Sequence, residues 1–333
     1  MDPLFAKHYN VLLGRFISLL NSYAPADAGK ALEPLDAFFA YRLFLGRNPD
    51  LQEELPTILG LKGTLREFLC AMQDSPEFAR TGGFFPPQKL FMSEVEGFRF
   101  WFNTSDREMG VLMALNAYEP ATVNMIRRLV RPGMRCIDLG AQTGFFTCLI
   151  GQCAGETGRV HSFEPMPANY EMLTRNVREN RFESRVVGYP LAGSNKPAAI
   201  EVSMLSNMIV LGDVQGARKT SIQSVRIDDV VREPIDFIKM DIEGHEPSAL
   251  DGMSGIINAH HPIIVTEANE YWLRTCSNSS GNAFLDSLIS LGYDVYREEN
   301  LTSPLPAGSL QMEELDSINL VAIPRGQQVP MAA

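Results

Sequence analysis

The sequence is poor in cysteine. Its 333 residues include five cysteines, and this odd number comes without the spacing of metal ligands. Three of the five lie in apolar runs, where buried free thiols are common. The cysteine pattern therefore argues against a zinc-type site and favours a reducing compartment.

The chain also has little positive charge and no long apolar run. Its 29 Lys and Arg residues face 40 Asp and Glu residues, which gives a net charge of -11 and a pI near 5.0. This balance argues against broad binding to nucleic acid or to an anionic membrane surface. No apolar stretch approaches the ~20 residues that span a bilayer, and Met1-Asp2-Pro3 opens no secretory signal pattern. We expect a cytoplasmic protein without a transmembrane segment.

Residues 1–80 show helical patterning. Apolar side chains recur at helical spacing over residues 4–23, and similar patterns follow at 36–45, at 51–59 and after Thr64. Four helices in about 80 residues predict a small bundle. The first helix has a broad apolar face that must pack within the bundle, on the rest of the chain or on a second copy, so a homo-oligomer formed through these helices is one expectation.

The next segment is rich in Gly and Pro. Residues 80–88 predict a linker, and residues 89–102 alternate enough to predict one or two strands. Helical patterning resumes at 108–117 and 121–130, on either side of Tyr118-Glu119-Pro120. Pro120 is placed to stand near the first position of the second of these helices.

The rest of the chain is organised around residues 134–146. A short apolar run ending at Leu139 breaks at Gly140 and reaches Gly144 before a helix-like segment, as the first strand of a nucleotide-type α/β sheet passes into its first helix. The two glycines remove Cβ atoms where the backbone must turn sharply and lie close to a ligand. Asp138 is expected at the carboxyl end of the strand, facing the crevice.

This stretch predicts a nucleoside ligand rather than a dinucleotide. The G-x-G-x-x-G pattern is missing, which argues against a pyrophosphate and against an NAD-dependent oxidoreductase. A carboxylate at Asp138 suits a cationic amino acid group, and Glu164 closes the next strand, where it could accept both hydrogen bonds of a ribose diol. Both features fit S-adenosylmethionine. Ala141 joins the two glycines on the methionine side, and Pro165 and Leu191 are candidates for the adenine, Leu191 by position only.

Strand and helix patterns alternate from Cys136 onward, which predicts a mostly parallel sheet. We expect strands at 136–139, 159–163, 184–188, 235–241 and 262–266, helices at 145–153, 169–180, 247–258 and 283–291, and an antiparallel C-terminal hairpin from 293–297 and 318–323. Two more strands, 198–203 and 221–226, would be joined by a long loop over 204–220. The order predicts an α/β, Rossmann-like, seven-stranded fold preceded by the small helical bundle.

Four motifs resemble one known family. They are Asp138-Leu-Gly-Ala-Gln-Thr-Gly144, Phe163-Glu-Pro165, the pair Asn176 and Asn180, and Lys239-Met-Asp-Ile-Glu-Gly-His-Glu246. Together they resemble the FkbM-type S-adenosylmethionine-dependent methyltransferases, over roughly residues 105–325. The resemblance implies O-methylation of a hydroxyl on a saccharide, a glycolipid or a glycosylated natural product, with a polyketide or macrolide hydroxyl as the alternative acceptor.

The predicted domains follow from these patterns. Residues 1–80 would be the helical domain, 81–104 the linker and hairpin, 105–325 the methyltransferase domain and 326–333 a disordered tail. Within the first domain, Tyr41-Arg-Leu-Phe-Leu-Gly-Arg-Asn-Pro-Asp50 and a following helix end resemble a bacterial helical module with a Leu-Gly-Arg-Asp-Pro type signature. The same residues would also serve as ordinary helix caps and turns.

The candidate catalytic residues are Asp241, His245 and Lys239. Methyl transfer from a sulfonium needs alignment of the reacting atoms and loss of the hydroxyl proton. Asp241 and His245 follow one apolar strand, so either could accept that proton, while Lys239 could orient Asp241 or the acceptor. Glu243 and Glu267 are candidates for acceptor binding because they follow the same strand and the next one. A carboxylate beside a helix start could instead be a structural cap.

Several alternatives stay open at this point. Asp241, Glu243 and Glu267 could hold Mg²⁺, which prefers oxygen ligands. The resemblance places Tyr118 and Glu119 near the mouth that admits cofactor or acceptor, although a plain helix-initiating turn explains them equally well. A scaffold protein that keeps the fold without turnover is the alternative from another functional class, and the intact motif residues count against it.

Overall fold

The computed structural model describes residues 41, 68, 71–72, 75–77, 90–103, 118–205, 208–211, 218–314 and 316–328. Most of the predicted N-terminal bundle, the linker at 80–88 and the helix at 108–117 therefore lie outside the described residues. Of residues 1–80, the structure describes Phe68, Ala71, Met72, Pro76 and Glu77 as helical.

The chain divides into two compact units. One comprises Met1–Val95 and Phe102–Tyr118, and the other Glu96–Trp101 and Glu119–Ala333. The second unit holds every candidate cofactor and catalytic residue. No helix among the described residues is both long enough and apolar enough to cross a membrane.

Thirteen strands and eight helices lie within the described residues. In chain order they are β1 (Leu90–Val95), β2 (Phe98–Asn103), α1 (Pro120–Leu129), β3 (Arg135–Leu139), α2 (Phe145–Ala154), β4 (Arg159–Phe163), α3 (Pro167–Glu179), β5 (Val186–Tyr189), β6 (Ala192–Ser194), β7 (Ala198–Leu205), β8 (Met208–Leu211), β9 (Arg218–Arg226), α4 (Ile227–Val230), β10 (Phe237–Met240), α5 (Glu246–Gly252), α6 (Ser254–His260), β11 (Ile263–Asn269), α7 (Glu270–Ser277), α8 (Gly281–Ser290), β12 (Tyr293–Arg297) and β13 (Ser317–Pro324).

The central sheet has seven strands in the order β12-β13-β11-β10-β3-β4-β5. Strands β3, β4, β5, β10 and β11 run parallel, while β13 is antiparallel to both β11 and β12. This confirms the predicted seven-stranded, mostly parallel sheet with its antiparallel C-terminal hairpin. A two-stranded sheet of β1 and β2 and a four-stranded sheet in the order β6-β9-β7-β8 accompany it.

The two faces of the central sheet differ in polarity. Side chains alternate along each strand, so Ile137 and Met240 enter the main hydrophobic core with Leu250 and Met253 of the α5 and α6 layer. Asp138 and Lys239 are direct neighbours in the β3–β10 register and point the other way, toward α2. The carboxyl edge of the sheet therefore collects buried polar groups on the α2 face.

Several details differ from the sequence prediction, which also lacked the short elements β6 and α4. The long loop expected over 204–220 contains β8 and the start of β9, which extend the second sheet. The helix expected at 247–258 is two helices, α5 and α6, with Met253 between them. Helix α7 was not predicted; it begins after Asn269, whose side chain accepts a hydrogen bond from the backbone N–H of Trp272 at 3.1 Å.

Candidate active site

Residues 140–144, the glycine loop, form a tight connection between β3 and α2. Gly140 and Gly144 have φ of 78° and 90°, in the region that favours glycine. A Cβ on Gly140 would lie 1.8 Å from the carbonyl oxygen of Asp241, and one on Gly144 would lie 3.1 Å from Leu173 Cγ. The closest neighbours of these two positions are thus other parts of the protein, whereas the sequence analysis attributed both glycines to the approach of a ligand.

Asp138 is fully buried at the end of β3. The Thr147 hydroxyl donates a 2.6 Å hydrogen bond to Asp138 Oδ2 and also lies 3.0 Å from the Ser162 hydroxyl. The other oxygen, Asp138 Oδ1, is buried without a hydrogen-bond partner. Burial raises the pKa of Asp138, and Lys239 and Thr147 oppose that rise. An unsatisfied buried carboxylate oxygen suits a donor or cationic ligand group, such as the amino group of S-adenosylmethionine.

Glu164 is held in place by backbone N–H groups. Its Oε2 accepts from the backbone N–H of Gln142 at 2.9 Å, and its Oε1 accepts from that of Met166 at 2.9 Å and from Asn169 Nδ2 at 3.4 Å. Burial raises its pKa to about 7, although these hydrogen bonds favour the ionised form. A carboxylate has about four acceptor positions, so Glu164 keeps capacity for hydroxyl donors such as those of a ribose. Its neighbour Pro165 is half-buried.

Leu191 packs at the edge of the main hydrophobic core. It is half-buried beside Tyr189, which closes β5 and stacks on Phe163 with ring centroids 4.5 Å apart. The backbone N–H of Glu164 donates to the carbonyl of Tyr189 at 3.0 Å. An apolar surface therefore lies next to the Glu164 strand end, where the sequence analysis placed the adenine.

Buried Lys239 and half-buried Asp241 form an ion pair at the end of β10. Lys239 Nζ lies 3.0 Å from Asp241 Oδ2 and 4.7 Å from the centre of the Phe146 ring. Burial alone would lower the pKa of Lys239, but Asp241, Asp138 and Glu119 raise it above its usual value. Lys239 therefore stays protonated and supplies a fixed positive charge beside these three carboxylates.

Glu267 and Glu243 lie close to this ion pair. The hydroxyl of Ser317 donates to Glu267 Oε1. Burial and the charge of Asp241 raise the pKa of Glu267 to about 9, and burial, Asp241 and Glu246 raise that of Glu243 to about 8. Both side chains are therefore mainly protonated near pH 7, so they can donate as well as accept hydrogen bonds.

The described residues hold no group of three or more His, Cys, Asp or Glu side chains able to bind a metal ion. The magnesium site considered at Asp241, Glu243 and Glu267 thus finds no support in the structure. The positive charge nearest to Asp241 is instead the ammonium group of Lys239, at 3.0 Å.

His245 stands directly before α5. Its Nε2 lies 3.0 Å from the hydroxyl of Ser194 in β6, and its Nδ1 is buried without a partner. Burial lowers the pKa of His245 to about 4, so the ring is neutral near pH 7. His245 therefore contacts β6, whereas Asp241 is paired with Lys239.

Tyr118 and Glu119 precede α1. Glu119 has a left-handed backbone conformation, its carbonyl accepts from the N–H of Val123 at 2.9 Å, and Pro120 is the first helical residue. The helix-initiating turn is therefore present, and the charge of Glu119 also acts on Lys239. Tyr118 is half-buried and belongs to the other compact unit.

The sequence did not reveal the residues that contact the candidate site residues and hold them in place. Thr147 holds Asp138, Phe146 lies against Lys239, and Ser317 donates to Glu267. Asn319 also lies at this edge, opposite Glu267 in the β11–β13 register, and donates to Thr122 Oγ1 and Glu298 Oε2 at 3.1 Å each. Of these residues, only Thr147 could have been found from the local sequence. It lies in the first turn of α2, where its hydroxyl faces the end of the preceding strand β3.

Comparison with known proteins gives a family. The model of the methyltransferase FkbM domain matches residues 138–295. A comparison with curated proteins finds no match.

Solved structures with a similar fold include three methyltransferases. Methyltransferase FkbM from Methylobacillus flagellatus is 19% identical, with 64% of this chain and 52% of that chain covered and a TM-score of 0.39. An rRNA methylase from Streptococcus thermophilus is 11% identical, with 61% and 95% covered and a TM-score of 0.37. A SAM-dependent methyltransferase from Aquifex aeolicus is 14% identical, with 61% and 88% covered and a TM-score of 0.37. The matched part of this chain spans about half the length of the first of these, 52%.

The motifs at Asp138 and Lys239 lie within the matched residues, on neighbouring strands of the seven-stranded sheet. Residues 138–295 of this chain therefore match the methyltransferase FkbM domain, the family that the sequence motifs resemble.

Proposed function

We propose that this chain is an O-methyltransferase that transfers the methyl group of S-adenosylmethionine to a hydroxyl of a saccharide, a glycolipid or a glycosylated natural product. The observation that carries the proposal is the ion pair of buried Lys239 and half-buried Asp241, with Glu267 beside it, one strand away from the candidate cofactor residues. A carboxylate in this position can accept the proton of a hydroxyl, which is the assistance that O-methylation needs.

The cofactor would lie at the ends of β3 and β4. Asp138 would bind the amino group of its methionine part, with Gly140, Ala141 and Gly144 forming the adjoining wall, and Glu164 would accept hydrogen bonds from the ribose. Pro165 and Leu191 would border the adenine. When bound, the cofactor supplies a methyl group on a sulfonium, a leaving group that needs no further activation. The loop and the two carboxylates would hold it in one orientation, because backbone contacts already fix the loop and Glu164, and the Thr147 hydroxyl fixes Asp138.

Asp241 would take the proton of the acceptor hydroxyl. Its partner Lys239 is only 4% exposed and remains charged, so it balances the carboxylate in a site of low solvent access. Lys239 thus acts on the reaction by holding Asp241 in place. His245, the other candidate, contacts the Ser194 hydroxyl in β6 through its Nε2.

The acceptor would contact Glu243, Glu267 and Glu119. The first two are mainly protonated near pH 7, so each can donate one hydrogen bond and accept others. A saccharide hydroxyl also donates and accepts, and neighbouring hydroxyls can engage neighbouring carboxyl groups. This match favours a hydroxyl-rich acceptor over a mostly apolar polyketide or macrolide.

The test is transfer of isotope-labelled methyl groups from S-adenosylmethionine to a panel of methyl glycosides, with a macrolide alcohol and a catechol as comparison acceptors. The proposal expects an alkali-stable methyl ether on a glycoside hydroxyl, located by NMR, and loss of the product with Asp241→Asn. Glu299→Gln is a matched control, since Glu299 is exposed, with 65% of its side-chain surface accessible, and pairs only with Arg297. Label that appears solely on nitrogen, carbon or a carboxyl ester would contradict it.

A further inference from the structure

Asn176 connects strand β2 with the glycine loop. It lies in α3 and is fully buried. Its Oδ1 accepts from the backbone N–H of Trp101 in β2 at 2.7 Å, and its Nδ2 donates to the carbonyl of Trp101 at 3.0 Å. The same Nδ2 donates to the carbonyl of Thr143, in the glycine loop, at 2.8 Å.

Asn180 makes the same contact one turn further along α3. Its Oδ1 accepts from the backbone N–H of Arg99 at 2.9 Å, and its Nδ2 donates to the carbonyl of Arg99 at 2.7 Å. Four residues advance a helix by about 6 Å, close to the roughly 6.7 Å that two residues advance a strand. The two amide groups can therefore pair with alternate residues of β2, as the backbone of a neighbouring strand would.

The difference between the two asparagines is the contact with the glycine loop. Thr143 stands between Gln142, whose backbone N–H holds Glu164, and Gly144, where α2 begins. Asn176 binds this loop and β2 with one amide group, whereas the Asn180 amide, besides its bonds to Arg99, contacts the Asn176 carbonyl at 2.8 Å and the Cys148 thiol in α2. A displacement of β2 would therefore move Asn176 and change the hydrogen bond that fixes Thr143.

We infer that Asn176 is a positioning residue that couples docking of β2 on α3 to the conformation of the glycine loop, so that β2 docking and cofactor binding stabilise each other. The inference rests on the proposed cofactor site. Coupling between two sites is reciprocal: if docked β2 raises affinity for the cofactor, bound cofactor strengthens the docking of β2 to the same degree.

Trp101 is a built-in reporter of this coupling. Its indole Nε1 donates to Glu179 Oε2 at 3.0 Å, and the guanidinium carbon of Arg175 lies 4.0 Å from the ring centre. Both partners belong to α3, so a change in the docking of β2 alters the surroundings of the indole. The chain has two tryptophans, and Trp272→Phe leaves Trp101 as the single fluorophore.

The experiment uses the full chain with Trp272→Phe as the parent and S-adenosylhomocysteine as the probe. Asn176→Ala and Asn180→Ala are compared by calorimetry and by Trp101 emission during titration. We expect the dissociation constant to rise about tenfold or more with Asn176→Ala and less than about threefold with Asn180→Ala, since only the first removes a loop hydrogen bond. Titration should change Trp101 emission in the parent and in Asn180→Ala, and not in Asn176→Ala.

Equal losses of affinity in the two variants, or a silent Trp101 in a parent that binds the probe, would overturn the coupling. Failure of the parent to bind S-adenosylhomocysteine at all is a different result, because it removes the cofactor site of the proposed function. If Asn176→Ala does not fold, hydrogen exchange of the parent provides the test. The probe should slow exchange at the Trp101 amide more than at the Arg99 amide. Slowing by the same factor at both amides would overturn the coupling.

Discussion

The two halves of the sheet edge are built by different means. The proposed cofactor half, at β3 and β4, depends mainly on backbone groups: the N–H groups of Gly140 and Ala141 donate to the Phe163 carbonyl at 3.1 Å each, and backbone N–H groups hold Glu164, although the hydroxyl of Thr147 holds Asp138. The acceptor half, at β10, β11 and β13, is held by side chains, including the ion pair of Lys239 and Asp241. The conformation of the first half is thus largely fixed by the backbone. In the second half, a substitution can change the charge or the protonation of a side chain without moving the backbone.

This difference explains where variation is tolerated. Changes in the cofactor half should act through folding and cofactor affinity. Changes in the acceptor half should act through the rate of transfer and its dependence on the acceptor.

Gly140→Ala should be the most damaging single change. The new Cβ would meet the Asp241 carbonyl at 1.8 Å, and φ of 78° is unfavourable for alanine, so we expect a loss of more than about 3 kcal/mol in the free energy of unfolding. Urea denaturation measures it. Gly292→Ala is the matched control: φ is 93° there but no atom lies within 4 Å, so about 1 kcal/mol is expected. Similar losses in both variants would show that the close approach at Gly140 is unimportant.

Lys239→Met should lower the rate of methyl transfer by roughly 100-fold or more while the protein still binds S-adenosylhomocysteine. The substitution leaves the carboxylate of Asp241 without its buried partner, which disturbs the proposed proton acceptor rather than the glycine loop. Lys219→Met is the control, since Lys219 is exposed and pairs with Glu201. A rate within threefold of the wild type would remove Lys239 from the mechanism.

Cofactor affinity should weaken about tenfold between pH 8 and pH 6. The pKa of Glu164 is raised to about 7, so at pH 6 the side chain is mainly protonated and loses acceptor capacity toward the ribose. Calorimetric titrations with S-adenosylhomocysteine across this range measure the effect. Glu164→Gln should bind more weakly and without this pH dependence, whereas the same pH dependence in that variant would assign it to another group.

His245→Ala should change the transfer rate by less than about threefold. Its Nε2 contacts Ser194 in β6 and its ring is neutral near pH 7, so we expect a loss of about 1 kcal/mol of stability from the missing hydrogen bond and little else. Initial rates at saturating cofactor check this. A drop of 50-fold or more would make His245 the proton acceptor and would extend the acceptor half toward β6.

The sequence predicts the cofactor half better than the acceptor half, and the reason is physical. Asp138, Gly140 and Gly144 lie within seven residues, and local turn chemistry determines their arrangement. In the acceptor half, Ser317 reaches Glu267 across 50 residues, and Asn319 reaches Thr122 across 197. Such contacts depend on which strands become neighbours, and the sequence pattern of one strand does not contain that information.

Two elements were missed although local signals existed for both. Strand β8 comprises Met208–Leu211, a short apolar run within a segment that we predicted to be a long loop. Helix α7 begins after a capping residue, Asn269, that is also the last residue of strand β11, so the first turn of the helix was hidden at the end of that strand. The domain boundaries around residues 1–80 stay a prediction.

The proposed cofactor site is tested by calorimetric titration of the full chain with S-adenosylhomocysteine. The titration is done on the wild type, on Glu164→Ala and on Glu183→Ala. Glu183 is exposed, so its variant controls for the loss of one acidic side chain. If Glu164 binds the ribose, we expect one binding site per chain, an affinity at least tenfold weaker with Glu164→Ala, and no change in affinity with Glu183→Ala. Absence of binding to the wild type, or equal binding by all three proteins, would contradict a cofactor site at β3 and β4.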